Sequence, residues 1–374
     1  KQKDKKYYHK YYDVKGKEIK DKKYIEKIIG DIYISPAYDN VKINLKKKSK
    51  IRAIGYDDQN RSQYVYNKEY IESQKNKKFD HMSAFGKKFT KINQTINEDL
   101  YSPKDSKEKQ VAMILKLIME CHFRIGNERY SKKYNSYGTT TLENHHVKVK
   151  KESVIIDFIG KKKVRNICTV KNKKVIKTLK EKKKTLKKKD RIFSYRKGNK
   201  YFNIQSSDVN KYLKHFGKFT AKNFRTWGAN IEFIVQINKY CRKMNIVKQK
   251  EIETCIKESI EHVACKLHNT SAVCKANYLD PELINFFKNE KEAFLKHFNV
   301  QSKEELYKKY VSFFKDTIFY LLPLLLLMYL VGYFMISPLS TIGGGYGHYN
   351  LNIIAFFNPN LEGVSDLFSC FHIL

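Results

Sequence analysis

Leu267-His-Asn-Thr-Ser-Ala-Val-Cys-Lys-Ala-Asn-Tyr278-Leu-Asp-Pro281 is a polar connection between two helices that delivers a single tyrosine. Ahead of it, Ile252, Ile256, Ile260, Val263 and Leu267 recur at steps of three or four, the mark of an amphipathic helix. Behind it, Asp280-Pro281 has the chemistry of an N-cap followed by the first residue of the next helix. Tyr278 therefore sits at a helix junction in a strongly basic chain, where a phenol can meet a phosphate. A tyrosine that merely packs its ring is the plainer reading, and with 27 tyrosines in the chain Tyr278 needs companions to be singled out.

Composition narrows the companions. The chain has 374 residues, enough for two domains with a sizeable core, and a formal net charge of +37. Such an excess destabilises the compact state by self-repulsion, and a polyanion would relieve it. Nucleic acid fits first, because each cation placed on a phosphate releases a counterion; a membrane surface and a lysine-rich coding bias also produce such a balance. Seven scattered cysteines, with no Cys-x-x-Cys spacing, read as reduced core residues, with neither a zinc site nor a disulfide framework. His145-His146 is the only histidine pair and lacks partner ligands nearby, so no metal site is expected.

Residues 1 to about 90 read as a small strand-rich domain. Ile51 to Tyr66 is a hairpin turning at Asp57 to Asn60, and its second arm groups Gln63, Tyr64 and Tyr66 beside Arg61. These types can reach base edges, sugar and phosphate, although an exposed strand face would look the same. Val111, Ile114, Leu115, Leu117 and Ile118 form the broad apolar face of a helix over 107–121. That helix runs into Phe123-Arg124-Ile-Gly126-Asn-Glu-Arg129-Tyr130, and an arginine among apolar residues is expensive to desolvate unless it meets an anion. Val154 to Val170 is a second hairpin with a Gly160-Lys161-Lys-Lys tip, followed by a lysine-dominated segment from Lys171 to Arg191. Ser207-Asp208 reads as the cap of a helix closed by Gly217. Lys222-Asn-Phe-Arg225-Thr-Trp227-Gly228 again embeds an arginine among aromatics, with Lys222 on the same helical face.

Taken in order, Phe123-Arg124-Ile-Gly, Phe158-Ile-Gly-Lys161, Lys222-x-x-Arg225-Thr-Trp-Gly and Asn269-Thr-Ser-Ala-Val-Cys-x-x-x-Tyr278 resemble the type IB DNA topoisomerases, above all the small enzymes of poxviruses, other large DNA viruses and bacteria. Tyr12-Asp-Val-Lys-Gly16, Ser35-Pro-Ala-Tyr38 and Gly55-x-Asp57-x-x-x-Arg61-x-Gln63-Tyr64 extend the likeness upstream, so that it covers roughly residues 7 to 300. The resemblance implies an α+β protein: a small β-rich N-terminal domain (1–90) and a mainly helical catalytic domain with a β-hairpin (91–300), closing as a C-shaped clamp on duplex DNA. Carried over by position, Tyr278 would be the nucleophile, Arg124 and Arg225 would grip the scissile phosphate, and Lys161 would be the general acid. Asn269 would be the fourth phosphate ligand, although poxvirus-like enzymes use a histidine there and His268 is one residue away. Arg61, Gln63, Tyr64, Tyr66, Arg129, Tyr130 and Lys222 would contact DNA. The implied partner is double-stranded DNA, bound by a monomer without cofactor, in a host cytoplasm or nucleus or in a virion or viral factory.

Two other readings remain. Tyrosine recombinases share the attack chemistry, but commonly carry His-x-x-Arg where this chain has Lys222-x-x-Arg225 and lack the upstream motifs. An architectural DNA binder would need none of the catalytic set. Past a charged linker at 301–316, the stretch 317–337 is almost unbroken apolar sequence of bilayer-crossing length, interrupted by Pro323. Lysines on its N-terminal side would keep the preceding part cytosolic if it were an anchor, whereas a sequence appended by frameshift would have no such role. Residues 338–374 are left unassigned.

Overall fold

In a computed structural model, residues 10–30, 32–243 and 248–314 are described. Lys1–Lys315 make one compact unit and Asp316–Leu374 a second, and the latter lies outside the described residues together with the apolar stretch at 317–337. Among the described residues no helix is long and apolar enough to cross a membrane.

The N-terminal part pairs β1 (Tyr11–Tyr12) with β2 (Glu18–Ile19) and follows them with helix α1 (Lys22–Ile29), capped by the Asp21 carboxylate. A three-stranded antiparallel sheet comes next, in the order β3 (Asp39–Ile43), β4 (Ile51–Tyr56), β5 (Ser62–Tyr66). The expected hairpin is the β4–β5 pair, in register Ile54 with Tyr64 and Gly55 with Gln63. Asp57 closes its turn by accepting from the backbone of Gln59 and Arg61.

Helix α2 (Lys68–Tyr101) leaves β5 directly, with Asn67 as N-cap. Its 34 residues extend about 51 Å at 1.5 Å per residue, and the boundary expected near residue 90 falls inside it. Met82, Phe85, Phe89, Ile92, Ile96 and Leu100, spaced by three or four, face the core and are buried. Gly86 admits the Trp227 ring, because a Cβ there would stand 2.6 Å from it.

The helical part is built around α3 (Lys107–Cys121) and α7 (Ala221–Lys243). Between them lie α4 (Glu128–Tyr134), the antiparallel sheet β6 (Val147–Val149), β7 (Val154–Ile159), β8 (Arg165–Val170), then α5 (Lys173–Thr185), the hairpin β9 (Ser194–Lys197) and β10 (Lys200–Asn203), and α6 (Ser206–Lys214). Gln205, two residues ahead of the expected Ser207-Asp208 cap, is the N-cap of α6, while Asp208 accepts its N–H at 2.8 Å. After α7 come α8 (Gln249–Lys266), α9 (Ser271–Asn277), α10 (Pro281–Asn289) and α11 (Lys291–His297). Asp280 caps α10 and Pro281 is its first residue, as the sequence predicts. Residues 303–314 are helical and bury Leu306, Tyr310 and Phe313, so most of the expected linker belongs to the core. The 4-then-3 spacing of those three residues was a helix signal beneath the charges.

One cysteine expectation is corrected. Cys121, the last residue of α3, is disulfide-bonded to Cys168 on β8, with 5.7 Å between their Cα atoms. Packing of α3 on β8 brings together residues 47 apart in sequence. The bond ties the helix ahead of Arg124 to the hairpin that carries Lys161.

Candidate active site

The helix turn after α8 sets the geometry. His268 takes a left-handed backbone (φ 53°), donates its N–H to Cys265 O, and lets Asn269 N–H reach Ala264 O at 2.9 Å. Both bonds of a Schellman cap are thereby made, with histidine in place of the usual glycine. The His268 ring stacks against Phe123 at 5.8 Å, and burial, aided by Arg225 and Arg124, lowers its pKa to about 4. Asn269 then turns its Oδ1 onto the Arg124 guanidinium, from which it accepts a hydrogen bond. Its Nδ2 is buried without a partner among the described residues. Thr270 caps α9, and Tyr278 stands at the end of that helix.

Arg124 is placed by a separate device. His122, also left-handed (φ 52°), caps α3 and turns the chain sharply. The Arg124 carbonyl accepts from Thr139 N–H (2.9 Å) and its hydroxyl (3.1 Å), and the Ile125 carbonyl accepts likewise from Thr140 (2.8 and 2.9 Å). Gly138 lies against Gly126 so closely that a Cβ on it would come within 2.5 Å of the Gly126 backbone.

Arg225, on the first turns of α7, is 3 % exposed. Its Nη2 donates to Leu267 O at 3.1 Å and to the Tyr278 phenol oxygen at 3.4 Å, while Nε and Nη1 have no partner among the described residues. Its guanidinium carbon is 5.3 Å from the centre of the Tyr278 ring. Burial lowers the Arg225 pKa, opposed by Tyr278. For Tyr278 burial raises the pKa, but Arg225, Arg124 and Asn269 outweigh it and leave the phenol more acidic than usual. Asn230, one further turn along α7 and fully buried, holds the tyrosine segment: its Nδ2 donates to Tyr278 O (3.0 Å) and Thr226 O (2.9 Å), and its Oδ1 accepts Asp280 N–H (2.8 Å). Asn230, Thr139 and Thr140 escaped the sequence reading; a Gly-Thr-Thr-Thr run and a polar residue amid the apolar α7 were the available signals.

Arg124, Arg225, Asn269 and Tyr278 thus share one pocket. Lys161 is not drawn into it. It lies on the exposed tip between β7 and β8, and its ammonium makes no hydrogen bond or ion pair among the described residues. Lys162 and Lys163 beside it take left-handed backbone (φ 61° and 57°), an uncommon conformation for such side chains. Below the tip, Asp157 is clamped by Arg165 (2.7 and 2.9 Å) and Lys148 (2.6 Å), which hold its carboxyl below the usual range.

The DNA-contact candidates fall into two groups. Arg61 and Gln63 both donate to Asp57 Oδ2, at 2.7 and 2.8 Å, while Tyr64 and Tyr66 are exposed with ring centres 6.3 Å apart. Arg129 and Tyr130 are exposed on α4, and the Arg61 guanidinium lies 5.7 Å over Tyr134 of that helix, which joins the two groups. Lys222 is exposed one turn before Arg225. Among the described residues no cluster of His, Cys, Asp or Glu could hold a metal ion.

A buried phenol whose neighbours are guanidiniums and an amide, on an α+β scaffold with a β-rich N-terminal part, is an arrangement suited to holding an anion beside a tyrosine. Comparison with known proteins narrows the class. The family of eukaryotic DNA topoisomerase I catalytic cores matches residues 67–304, and that of bacterial DNA topoisomerase IB N-terminal domains matches residues 8–57. DNA topoisomerase 1B of Acanthamoeba polyphaga mimivirus is 31 % identical over 315 residues, spanning 82 % of this chain and 93 % of the relative. The monkeypox virus DNA topoisomerase I and the vaccinia virus (strain Copenhagen) DNA topoisomerase 1B are 23 % and 22 % identical, each over 63 % of this chain and 72 % of the relative. The chain belongs to the type IB DNA topoisomerases, an isomerase family that acts on DNA.

Proposed function

We propose that the protein relaxes supercoiled duplex DNA by opening and resealing one strand through a 3′-phosphotyrosyl intermediate, without ATP or metal. The shared pocket of Arg124, Arg225, Asn269 and Tyr278 is the observation that carries this reading.

The Tyr278 oxygen attacks phosphorus and forms the new O–P bond as the bond to the 5′ oxygen breaks. Neutral pH supplies little phenolate at an ordinary tyrosine pKa near 10, so the acidifying guanidiniums beside Tyr278 matter. The unfilled donors of Arg225 and Asn269, with Arg124, would stabilise the charge that develops on the equatorial phosphate oxygens. Lys161 gives the leaving oxygen its proton once DNA brings the phosphate under the hairpin tip; its unengaged ammonium supports that role. One phosphodiester is exchanged for another, so resealing by the reverse attack needs no energy source. The β-rich part and the helical part grip a duplex between them as a monomer, with Arg61, Gln63, Tyr64, Tyr66, Arg129, Tyr130 and Lys222 on its backbone and bases. The virus-encoded relatives favour action in a viral factory, a virion or the infected cell.

The test is a relaxation assay on a plasmid without special sites, run in EDTA and without ATP. Relaxation of both positive and negative supercoils is expected, with Tyr278→Phe inactive yet still bound to DNA. A requirement for paired recognition sites would make the protein a recombinase. In a Lys161→Ala variant, replacing the leaving 5′ oxygen by sulfur is expected to restore cleavage, because a thiolate leaves without a proton. Failure of that rescue removes Lys161 from the acid role.

A further inference from the structure

We propose that Lys78 is a positioning residue that couples helix α2 to the nucleophile; the inference rests on Tyr278 filling that role. Lys78 lies ten residues into α2, about 15 Å from the end that emerges from β5. Its ammonium donates to the carbonyl of Asn277 at 2.6 Å, a contact between residues 199 apart. The peptide joining Asn277 to Tyr278 is therefore held at both ends, because the Tyr278 N–H donates to Cys274 O at 2.9 Å. The following carbonyl, that of Tyr278, is held from α7 by Asn230. Two helices thus fix the backbone on either side of the tyrosine, and α2 is one of them.

Three features argue that the contact is more than a surface lysine at rest. The Lys78 ammonium lies 4.5 Å from the centre of the Phe79 ring, an orientation that keeps it on the protein. It also acts on the buried Asp280 carboxyl, two residues beyond Tyr278, partly opposing the effect of burial there. Finally, α2 continues without a break from the strand bearing Tyr64 and Tyr66 to the aromatic core beneath Arg225, where Phe85 meets Phe224 at 5.0 Å and Phe89 meets Trp227 at 5.5 Å. A rigid rod with DNA-reading side chains at its start and a grip on the tyrosine loop partway along can transmit seating of the duplex to the reacting oxygen.

The experiment uses the full chain with Lys78→Met, which keeps the aliphatic stem, and Lys78→Arg, which keeps a charged donor. The readout is the single-turnover rate of covalent adduct formation at saturating concentration of a nicked duplex. Affinity is measured separately in a Tyr278→Phe background, where cleavage does not interfere. Loss of one charge-assisted hydrogen bond corresponds to about tenfold in rate. Lys78→Met is therefore expected to be about tenfold slower at saturation, with affinity changed less than about twofold and the arginine variant recovering most of the rate. An unchanged saturated rate with weaker binding and a salt slope smaller by about one would make Lys78 a phosphate contact instead and overturn the proposal. A lower melting temperature with an unchanged saturated rate would likewise overturn it. If Tyr278→Phe itself formed the adduct, the nucleophile assignment would fall, an outcome distinct from a normal rate in Lys78→Met over an inert Tyr278→Phe.

Discussion

Replacing Arg225 with methionine should abolish chemistry and stabilise the DNA-free protein. A guanidinium carries five N–H donors. In Arg225 one nitrogen serves Leu267 O and, at a long 3.4 Å, the Tyr278 oxygen, whereas Nε and Nη1 are buried with no partner among the described residues. Each buried donor left unmet costs about 1–3 kcal/mol, so two amount to roughly 2–6 kcal/mol. Methionine forfeits the two existing hydrogen bonds, about 1 kcal/mol each, and fills much of the same space with a flexible thioether. The net expectation is a gain of about 0–4 kcal/mol, centred near 2 kcal/mol. At roughly 2 °C per kcal/mol for a large domain, that centre is a rise in Tm of about 4 °C. Thermal unfolding should be followed without DNA and in a buffer free of phosphate and sulfate, since an oxyanion would occupy the vacant donors. Added inorganic phosphate is expected to raise the wild-type Tm and leave Arg225→Met unmoved. A lower Tm for Arg225→Met under these conditions would refute the claim that the unmet donors of Arg225 cost the folded protein stability.

Three further outcomes follow from named contacts. Asn269→Ala should slow adduct formation about a hundredfold, the scale of losing one preorganised donor to a developing oxyanion, while His268→Ala stays within about threefold; the reverse result would give the role to His268. Burial raises the Asp280 carboxyl from 3.8 to about 7, so the folded protein retains a proton there that the unfolded chain releases, and this residue's contribution falls as pH rises through that window. Stability of Asp280→Asn relative to wild type should therefore climb between about pH 4 and 7, at up to about 1.4 kcal/mol per unit, and then level off; parallel curves would sink the assignment. The Cys121–Cys168 link spans 47 residues, for which chain entropy predicts about 4 kcal/mol. Reductant should lower the denaturation midpoint of wild type but not of Cys121→Ser, and free alkylation of both thiols in the native, unreduced protein would contradict the link.

What could be read from the sequence was local. The helix faces of α3 and α8, the hairpins at β4–β5 and β7–β8, and the Asp280-Pro281 start of α10 are patterns within a few turns of chain, and each formed where its spacing indicated. Arg124 and Arg225 stood out because apolar neighbours make a charge conspicuous. The remainder depends on contacts between distant residues. The disulfide joins residues 47 apart, and the Asn230 grip spans 48 and 50 residues to Tyr278 and Asp280. The Schellman cap that separates His268 from Asn269 rests on a histidine in a backbone region where glycine is the expected signal, so the sequence could not tell which neighbour faces Arg124. The interspersed lysines and carboxylates at 301–316 concealed Leu306, Tyr310 and Phe313, which are buried against the core.

The most direct measurement is the identity of the residue that becomes joined to DNA. The protein would be denatured during reaction with a nicked duplex, digested with a protease, and the DNA-linked peptide sequenced by mass spectrometry. The account predicts one peptide, modified at Tyr278 through a 3′-phosphate. Attachment through another of the tyrosines, attachment to a 5′-phosphate, or DNA that is relaxed with no protein ever bound covalently would contradict it.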